Sequence, residues 1–179
     1  AVSHVASRPP AIDLRDARSG HLIQQIDLGA RFEKMFGAAY HVVLRADLHR
    51  ALLSCVSASP VVKLVTDFEV KEVTYGHGTI AVASAAGRRF EGTHLIATDG
   101  VHSLIRHLVL GTPGPRTTRE DHHRTLLTDF PVEGDWKNVT VWMGAGCHVV
   151  HYPVGAPAAL NLVCVLPEGR KLGEATEKF

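Results

Sequence analysis

Short apolar, β-rich runs separated by polar, turn-forming residues recur along much of the chain, and this pattern predicts β-strands. Residues 11–28 contain two such runs on either side of Arg18, Ser19 and Gly20, which are residue types typical of turns. A β-hairpin is therefore predicted at about 11–28.

After residue 45 the apolar residues follow the spacing of a helix. Leu48, Leu52, Leu53 and Val56 recur at the spacing of one helix face, and Pro60 closes the segment. The pattern predicts an amphipathic helix from about 46 to 58.

Strand-like segments dominate the rest of the chain. β-rich stretches occur first at 61–65, 69–75, 79–85 and 88–97, and again at 125–132, 138–144, 147–154 and 159–167. The later group is bounded by Gly, Pro and Asn, as expected for an antiparallel sheet. A predicted helix within 101–110 and a Gly/Pro-rich connection lie between the two groups. Together these elements predict a mixed α/β (α+β) chain in which two sheets are built from interleaved segments.

Composition narrows the classes of function. The 179 residues are 45% hydrophobic, which is enough for a sizeable core. Nineteen basic and eighteen acidic residues give a net charge of +1, so nucleic acid and anionic membrane surfaces are not predicted partners. No apolar run reaches the roughly 18 residues of a membrane helix, and a soluble, cytoplasmic protein is predicted.

Cysteine and histidine placement does not indicate a metal site. The three cysteines, Cys55, Cys147 and Cys164, are widely spaced without a CxxC pair, and we expect them to be buried small hydrophobes. The twelve histidines are scattered instead of recurring at ligand spacing. Neither a disulfide framework nor bound metal is predicted.

Residues 94–111, HLIATDGVHSLIRHLVLG, combine an apolar strand, an Asp-Gly turn and a helix. Gly100 lets the backbone turn tightly and approach a ligand, while Asp99 can accept hydrogen bonds from hydroxyl groups. Ser103 and Arg106 are three residues apart and lie on one helix face. Two explanations stay open: the turn contacts a ligand, or Asp99 only caps the helix and Arg106 pairs with a surface carboxylate.

Four stretches together resemble the group A flavin monooxygenases, the family of para-hydroxybenzoate and salicylate hydroxylases. The stretch LIATDGVHSLIR resembles the family's Asp-Gly fingerprint, and RADLHRALL its Arg-x-Asp-Leu helix start. LRDARSGHLI resembles its early hairpin, and HVVHYPVGAPAALNLVCV its His-x-x-x-Tyr-Pro strand pair. The matches occur in the family's order and span about 11–167.

The resemblance implies FAD as cofactor and NADH or NADPH as co-substrate. The cofactor-binding residues it implies are Arg45, Asp99, Gly100, Ser103 and Arg106, with the helix after the Asp-Gly turn offering its N–H groups to phosphate. Arg45 opposes the dipole of its own helix, a conflict that a nearby anion would remove. The alternative for Arg45 is an exposed side chain whose stem covers apolar surface.

The resemblance also implies that the last strands line an aromatic pocket. Alternation places His148, Val150 and Tyr152 on one face of a strand and His151 on the other, so the two histidines are not a pair. His148 is the candidate catalytic residue, because imidazole can take a phenol proton near neutral pH. The candidate substrate-binding residues on this sheet are Tyr152, Asn161, Trp142 and Met143. A core role for His148 and ordinary strand roles for the others stay open.

The resemblance divides the chain into a substrate-domain hairpin at 1–28, part of a Rossmann-like FAD-binding domain at 29–115, and a substrate-binding sheet with the start of a helix at 116–179. The family's Gly-x-Gly-x-x-Gly and later Gly-Asp segments do not occur in it. We therefore expect the chain to be an internal fragment, inactive alone.

The expected activity of the parent is hydroxylation of a small phenolic or benzoate-like substrate by O2 through a flavin hydroperoxide. One alternative is a non-catalytic small-molecule binding module, and another is a related flavin reductase or epoxidase. Homodimer formation stays open.

Overall fold

A computed structural model describes residues 3–116, 118–155 and 158–170. The strands are β1 (Ala11–Asp16), β2 (Leu22–Asp27), β3 (Val70–Gly76), β4 (Thr79–Ser84), β5 (Arg89–Gly92), β6 (Glu120–Leu127), β7 (Val139–Gly144), β8 (Cys147–Val154) and β9 (Ala159–Pro167). The helices are α1 (Ala30–Phe36), α2 (Arg45–Ser57) and α3 (Leu104–Leu110), with a 3-10 helix at Gly134–Lys137.

The chain folds into two compact units. The larger unit consists of Ala1–Pro60 and Arg119–Phe179, and the smaller unit of Val61–Thr118. The larger unit thus combines sequence from both sides of the smaller one, and each unit contains its own sheet. The predicted mixed α/β class with interleaved segments is confirmed. Assignment of these parts as cofactor and substrate domains stays a prediction.

The larger unit is built on a six-stranded sheet in the order β2-β1-β7-β8-β9-β6. β1 and β7 are parallel, and every other neighbouring pair is antiparallel. The β1–β7 pairing joins the predicted hairpin to the later strands, because Ile12 to Asp16 align with Val139 to Met143. The hairpin and the antiparallel group therefore form one surface.

The predicted hairpin at 11–28 is confirmed, and its turn is fixed by Asp16. The Asp16 carboxylate accepts hydrogen bonds from the backbone N–H of Ser19 at 2.7 Å and of Arg18 at 3.2 Å. Gly20 adopts a φ of +72°, which favours glycine. Local side-chain bonding and one glycine thus make the turn that the sequence predicts.

The two faces of the six-stranded sheet have different environments. One face carries an apolar cluster of Val139, Val154 and Ala159 that packs against Val42 from the segment before α2. The opposite face carries the buried polar side chains of Asp13, Thr140 and His151. The pleat explains the separation, since side chains alternate across each strand.

The smaller unit contains the antiparallel sheet β3-β4-β5, with α3 packed against β3. The predictions for 69–75, 79–85 and the helix within 101–110 are confirmed. Residues 61–65 are not a strand, and the segment predicted at 88–97 is a strand only to Gly92. Val61 is 90% exposed and Ile96 86% exposed. An extended segment forms a strand only when its backbone N–H and C=O groups bond to a neighbouring strand. Neither residues 61–65 nor residues 93–97 pair with a strand among the described residues.

Three other boundaries refine the predictions. The helix predicted at 46–58 is present as α2, one residue earlier at each end. β6 begins five residues before the predicted strand at 125–132 and ends at Leu127. The short helix α1 was not predicted.

In the described part of the chain, no helix combines the length and apolarity needed to cross a membrane.

Candidate functional site

The Asp-Gly turn of the smaller unit is organised by a hydrogen-bond network around Asp99. One carboxylate oxygen accepts from the Ser103 hydroxyl at 2.6 Å, and the other accepts from the Ile105 backbone N–H at 3.1 Å. The hydroxyl and the N–H both stabilise the charged carboxylate, and they lower the pKa of Asp99, the hydroxyl having the larger effect. Asp99 is therefore an anion that fixes the start of α3.

The N-terminus of α3 is already satisfied by the chain's own side chains. Ser103 is the N-cap residue and its hydroxyl accepts from the Arg106 N–H at 2.9 Å, while Asp99 accepts from Ile105. These are the N–H groups that a phosphate at a helix start would use. The expectation that α3 offers its N–H groups to phosphate is therefore wrong, because two side chains of the turn occupy them.

Gly100 and Arg106 complete the turn. Gly100 has a φ of +81°, and a Cβ placed there would meet no atom within 4 Å, so the glycine serves the backbone conformation and leaves open space beside it. The Arg106 guanidinium donates to the Val101 carbonyl at 2.6 Å. The expected pairing of Arg106 with a surface carboxylate does not occur in the described residues; a backbone carbonyl takes that place.

An open groove of about 380 Å³ lies beside this turn, entirely within the smaller unit. Its polar wall includes Asp99, Ser103 and Arg106, and its apolar wall includes Ile80 and Leu95. This volume falls within the range of about 300–1,000 Å³ typical of small-molecule sites. The four residues predicted around the turn are thus brought together at one concave surface.

Arg45 lies in the larger unit, at the first position of α2. Its side chain is exposed, and it forms no hydrogen bond or ion pair with any other described residue. In the same helical turn Asp47 pairs with Arg50 at 3.0 Å, so the acidic residue complements the helix dipole while Arg45 does not. Its predicted contact with an anion stays a prediction.

His148 lies on β8, and the strand register confirms the predicted alternation. Its cross-strand partners are Met143 on β7 and Val165 on β9. Tyr152, two pleats further along the same face, is paired with Asn161. His148, Met143, Tyr152 and Asn161 therefore share one face of the sheet.

Trp142 lies on the opposite face of the sheet from His148. It is paired with Val149, and its ring centroid is 6.2 Å from that of His151. The prediction that Trp142 shares a wall with His148 is wrong, because adjacent residues of a strand point to opposite faces. The stretch VWM contributes Met143 to one face and Trp142 to the other.

A second polar cluster, which sequence reasoning missed, surrounds Asp13 on the Trp142 face. Asp13 is 1% exposed and accepts hydrogen bonds from Gln25 at 2.8 Å and Asn138 at 3.0 Å, with Arg15 at 3.5 Å. Burial alone would raise the pKa of Asp13, but these hydrogen bonds and the positive charge of Arg15 hold it below its ordinary range. Asp13 lies two residues after the apolar Ala11, on the same face of β1, and this spacing was the signal in the sequence that Asp13 is buried.

His151 is the buried histidine of this face, at 3% exposure. Its ring lies 4.6 Å from the Trp136 ring, centroid to centroid, and its Nδ1 has no hydrogen-bond partner among the described residues. Burial lowers the pKa of His151 to about 4, and the charge of Arg15 acts in the same direction, while Asp13 opposes it. His151 is therefore neutral at pH 7, a packed aromatic ring and not a proton donor.

The described residues contain no group of three or more His, Cys, Asp or Glu side chains arranged to hold a metal ion. Two separate candidate sites are present: the Asp99 turn in the smaller unit and the His148 face in the larger unit. Each is described within its own unit, and each brings together residues that the sequence singled out.

Comparison with known proteins finds sequence relatives that are named as hydroxybenzoate hydroxylases and monooxygenases. It is 31% identical over 152 residues to a 3-hydroxybenzoate 6-hydroxylase of Polaromonas naphthalenivorans (strain CJ2), covering 84% of this chain and 38% of that enzyme. It is 34% identical over 171 residues to a 3-amino-4-hydroxybenzoate 2-monooxygenase of Streptomyces cremeus, covering 90% and 41% respectively. No family model matches the chain.

Solved structures agree on the fold. Klebsiella pneumoniae HpxO, determined with FAD and uric acid, superposes with a TM-score of 0.77 at 25% identity, covering 97% of this chain and 44% of that one. The resemblance to FAD-dependent aromatic hydroxylases is confirmed. The chain spans about 40% of the length of the curated relatives it matches.

Proposed function

We propose that the protein of which this chain forms a part is an FAD-dependent, NAD(P)H-using monooxygenase that hydroxylates a small phenolic or benzoate-like aromatic compound. The observation that supports this most is the Asp99 turn, which forms the polar wall of an open groove. The relatives include hydroxylases of hydroxybenzoates, which supports an aromatic substrate. O2 would be the second substrate, and a homodimer stays a prediction.

The Asp99 turn fits the hydroxyl-bearing part of FAD. Each carboxylate oxygen of Asp99 accepts one hydrogen bond from a neighbouring residue, so lone pairs remain for ribityl or ribose hydroxyls. Gly100 keeps the adjacent backbone open to close approach, since no atom lies within 4 Å of a Cβ built there. Arg106 donates one N–H to Val101 and carries further donors on the same guanidinium.

The pyrophosphate of FAD would have to be held elsewhere than at α3. Asp99 and Ser103 already occupy the N–H groups of Ile105 and Arg106. When bound, FAD would supply the redox chemistry that activates O2. The contribution of the smaller unit is to orient the cofactor through hydroxyl contacts at Asp99.

The His148 face is proposed to bind and activate the aromatic ring. Met143 and Tyr152 share this face and provide apolar and aromatic surface, while Asn161 provides an amide for a polar substituent. His148 is half-buried, and its imidazole would accept the phenol proton. Loss of that proton raises electron density on the ring and makes it a better nucleophile toward an electrophilic oxygen.

Flavin titration of the purified full-length protein tests the proposal. We expect a yellow protein whose NAD(P)H consumption is stimulated by hydroxylated benzoates, with hydroxylated product formed. Asp99→Ala should weaken FAD binding by roughly tenfold or more, because a charge-assisted hydrogen bond contributes about 1.5–3 kcal/mol. Glu91→Ala is the matched control, since Glu91 is an exposed carboxylate of the same unit that pairs with Arg89.

A colourless protein that fails to bind FAD even at high micromolar concentration would refute the proposal. The second candidate, a non-catalytic small-molecule binding module, is favoured by one observation: the N–H groups at the start of α3 are already occupied. Binding of hydroxybenzoates without FAD binding would support that candidate. Equal effects of Asp99→Ala and Glu91→Ala would show that Asp99 only caps α3.

A further inference from the structure

Cys147 and Cys164 are neighbours on the face of the six-stranded sheet opposite His148. The β8–β9 register pairs Val149 with Cys164 and His148 with Val165, so Cys147 and Cys164 are diagonal neighbours on one face. Cys164 packs directly against the buried pair formed by Cys147 and Leu166. The structure therefore places two free thiols, 17 positions apart in sequence, in one side-chain cluster.

The two thiols differ in access. Cys147 is 9% exposed, whereas Cys164 lines a groove of about 410 Å³ at the β6–β9 edge of the sheet. The remaining groove residues are mostly polar: His122, His123, Arg124, Thr125 and Leu162. A small oxidant can thus reach Cys164 from this groove, whereas Cys147 is buried and does not line the groove.

His123 is the residue best placed to assist Cys164. The β6–β9 register puts His123 directly opposite Cys164, and directly opposite side chains lie on the same face about 4.5–5.5 Å apart at Cβ. Burial raises the pKa of the Cys164 thiol, with Cys147 adding to the effect, so the thiol is mostly protonated at neutral pH. A neighbouring imidazole provides the base that such a thiol needs to become a nucleophile.

We propose that Cys164 and Cys147 form a reversible redox pair, in which a peroxide oxidises Cys164 from the groove and Cys147 resolves the product to a disulfide. Nothing in the proposed hydroxylation uses either thiol. The pair is a modification site on the face opposite the aromatic-binding residues.

The chemistry proceeds in two balanced steps. His123 takes the Cys164 proton, and the thiolate attacks one peroxide oxygen; an S–O bond forms, the O–O bond breaks, and the leaving oxygen departs as water with that proton. The sulfur loses two electrons and the peroxide gains them. Cys147 then attacks the sulfenic sulfur; an S–S bond forms, the S–O bond breaks, and the hydroxyl leaves as water with the Cys147 proton.

The diagonal placement favours a reversible bond over a permanent one. Diagonal neighbours on antiparallel strands lie about 7–8 Å apart at Cα. A relaxed disulfide spans about 4.4–6.8 Å, so closing the bond requires β8 and β9 to shift locally along each other. Disulfides that force such movement are more easily reduced.

The redox pair would act on the candidate catalytic residue through the backbone. Cys147 is the sequence neighbour of His148, and Val165, which is paired with His148, follows Cys164. Drawing Cys147 and Cys164 together would displace both residues that set the position of His148. This consequence rests on the proposed function; formation of the disulfide does not.

Mass spectrometry of the full-length protein after treatment with hydrogen peroxide tests the redox pair. We expect a peptide cross-linked through Cys147 and Cys164 that disappears on treatment with dithiothreitol. In Cys164→Ser, loss of the Cys147 thiol should slow by about tenfold or more, because a buried thiol has little access to peroxide. In Cys147→Ser, a sulfenic acid on Cys164 should become trappable by dimedone.

Cys55→Ser is the control, because Cys55 is exposed and lies on α2, away from the sheet strands. It should leave the cross-link unchanged. Oxidation of Cys147 and Cys164 without a cross-link between them, or oxidation confined to Cys55, would overturn the proposal. Both outcomes are measured in the wild-type protein, so the test does not depend on whether a variant folds. Thiol state is measured without flavin, so failure here is distinguishable from failure to bind FAD.

Discussion

Acidification should destabilise the larger unit through His151. Folding holds the pKa of this buried imidazole at about 4, below its ordinary value of 6.5. Between these two values the unfolded chain binds a proton that the folded chain excludes, so stability rises with pH. Titration of His151 therefore adds almost no pH dependence to stability above pH 6.5, and it lowers the free energy of unfolding progressively as pH falls toward 4.

The size of the effect follows from the interval between the two pKa values. One pH unit corresponds to about 1.4 kcal/mol, so an interval of about 2.5 units corresponds to roughly 3 kcal/mol once the pH has fallen to 4. The physical cause is that a charged His151 would be almost fully removed from water, at 3% exposure, and would be repelled by Arg15. At pH 5 the expected loss is about 2 kcal/mol.

Urea unfolding at pH 7 and pH 5, followed by tryptophan fluorescence, measures this loss. The chain has two tryptophans, Trp136 and Trp142, and both rings lie beside His151, so fluorescence reports this part of the sheet. His151→Phe and His151→Gln should each remove most of the difference between the two pH values. His148→Gln, on the opposite face, should retain it. A wild-type pH dependence in both His151 variants would refute the reasoning.

Two further predictions concern residues on either face of the sheet. Asp13→Ala should destabilise the larger unit by about 3 kcal/mol, because Asn138 would lose its buried partner. The control is Asp135→Ala, which removes a carboxylate that is 82% exposed. It should cost less than about 1 kcal/mol in the same urea titration. His148→Ala should lower product formation per NAD(P)H consumed, whereas His21→Ala, in the exposed hairpin turn, should not; unchanged coupling in the first variant would remove His148 from the reaction.

Strands whose partners lie close in sequence were predictable from local pattern. β8 and β9 occupy the predicted ranges 147–154 and 159–167, because each is rich in β-favouring residues and is bounded in sequence by glycine or proline. The hairpin of β1 and β2 was predictable for the same reason. Residues 61–65 have equally strong β-propensity but pair with no described strand, so propensity alone gave a wrong prediction there.

The candidate site was predictable where its residues are close in sequence. Asp99, Ser103 and Arg106 lie within one turn and the start of one helix, and their hydrogen bonds are local. The buried cluster of Asp13 and His151 was not predictable, because its burial depends on contacts between different elements: Asn138 hydrogen-bonds to Asp13 from 125 positions away, and Trp136, from the 3-10 helix, packs against His151 on β8. Sequence pattern shows which residues share a face, but not what covers that face.

The alternation of β8 assigns different roles to adjacent residues of one strand. His148 and Tyr152 point to the face proposed to hold the aromatic substrate, which also carries the apolar cluster packed against Val42, whereas Cys147 and His151 point to the opposite face. Changes on the second face can reach the first only through the backbone of the strand, since the two sets of side chains do not meet. Protonation of His151 and oxidation of Cys147 would therefore both act on His148 by moving β8. Variants on the second face should consequently change coupling together with stability, whereas His148→Ala should change coupling alone.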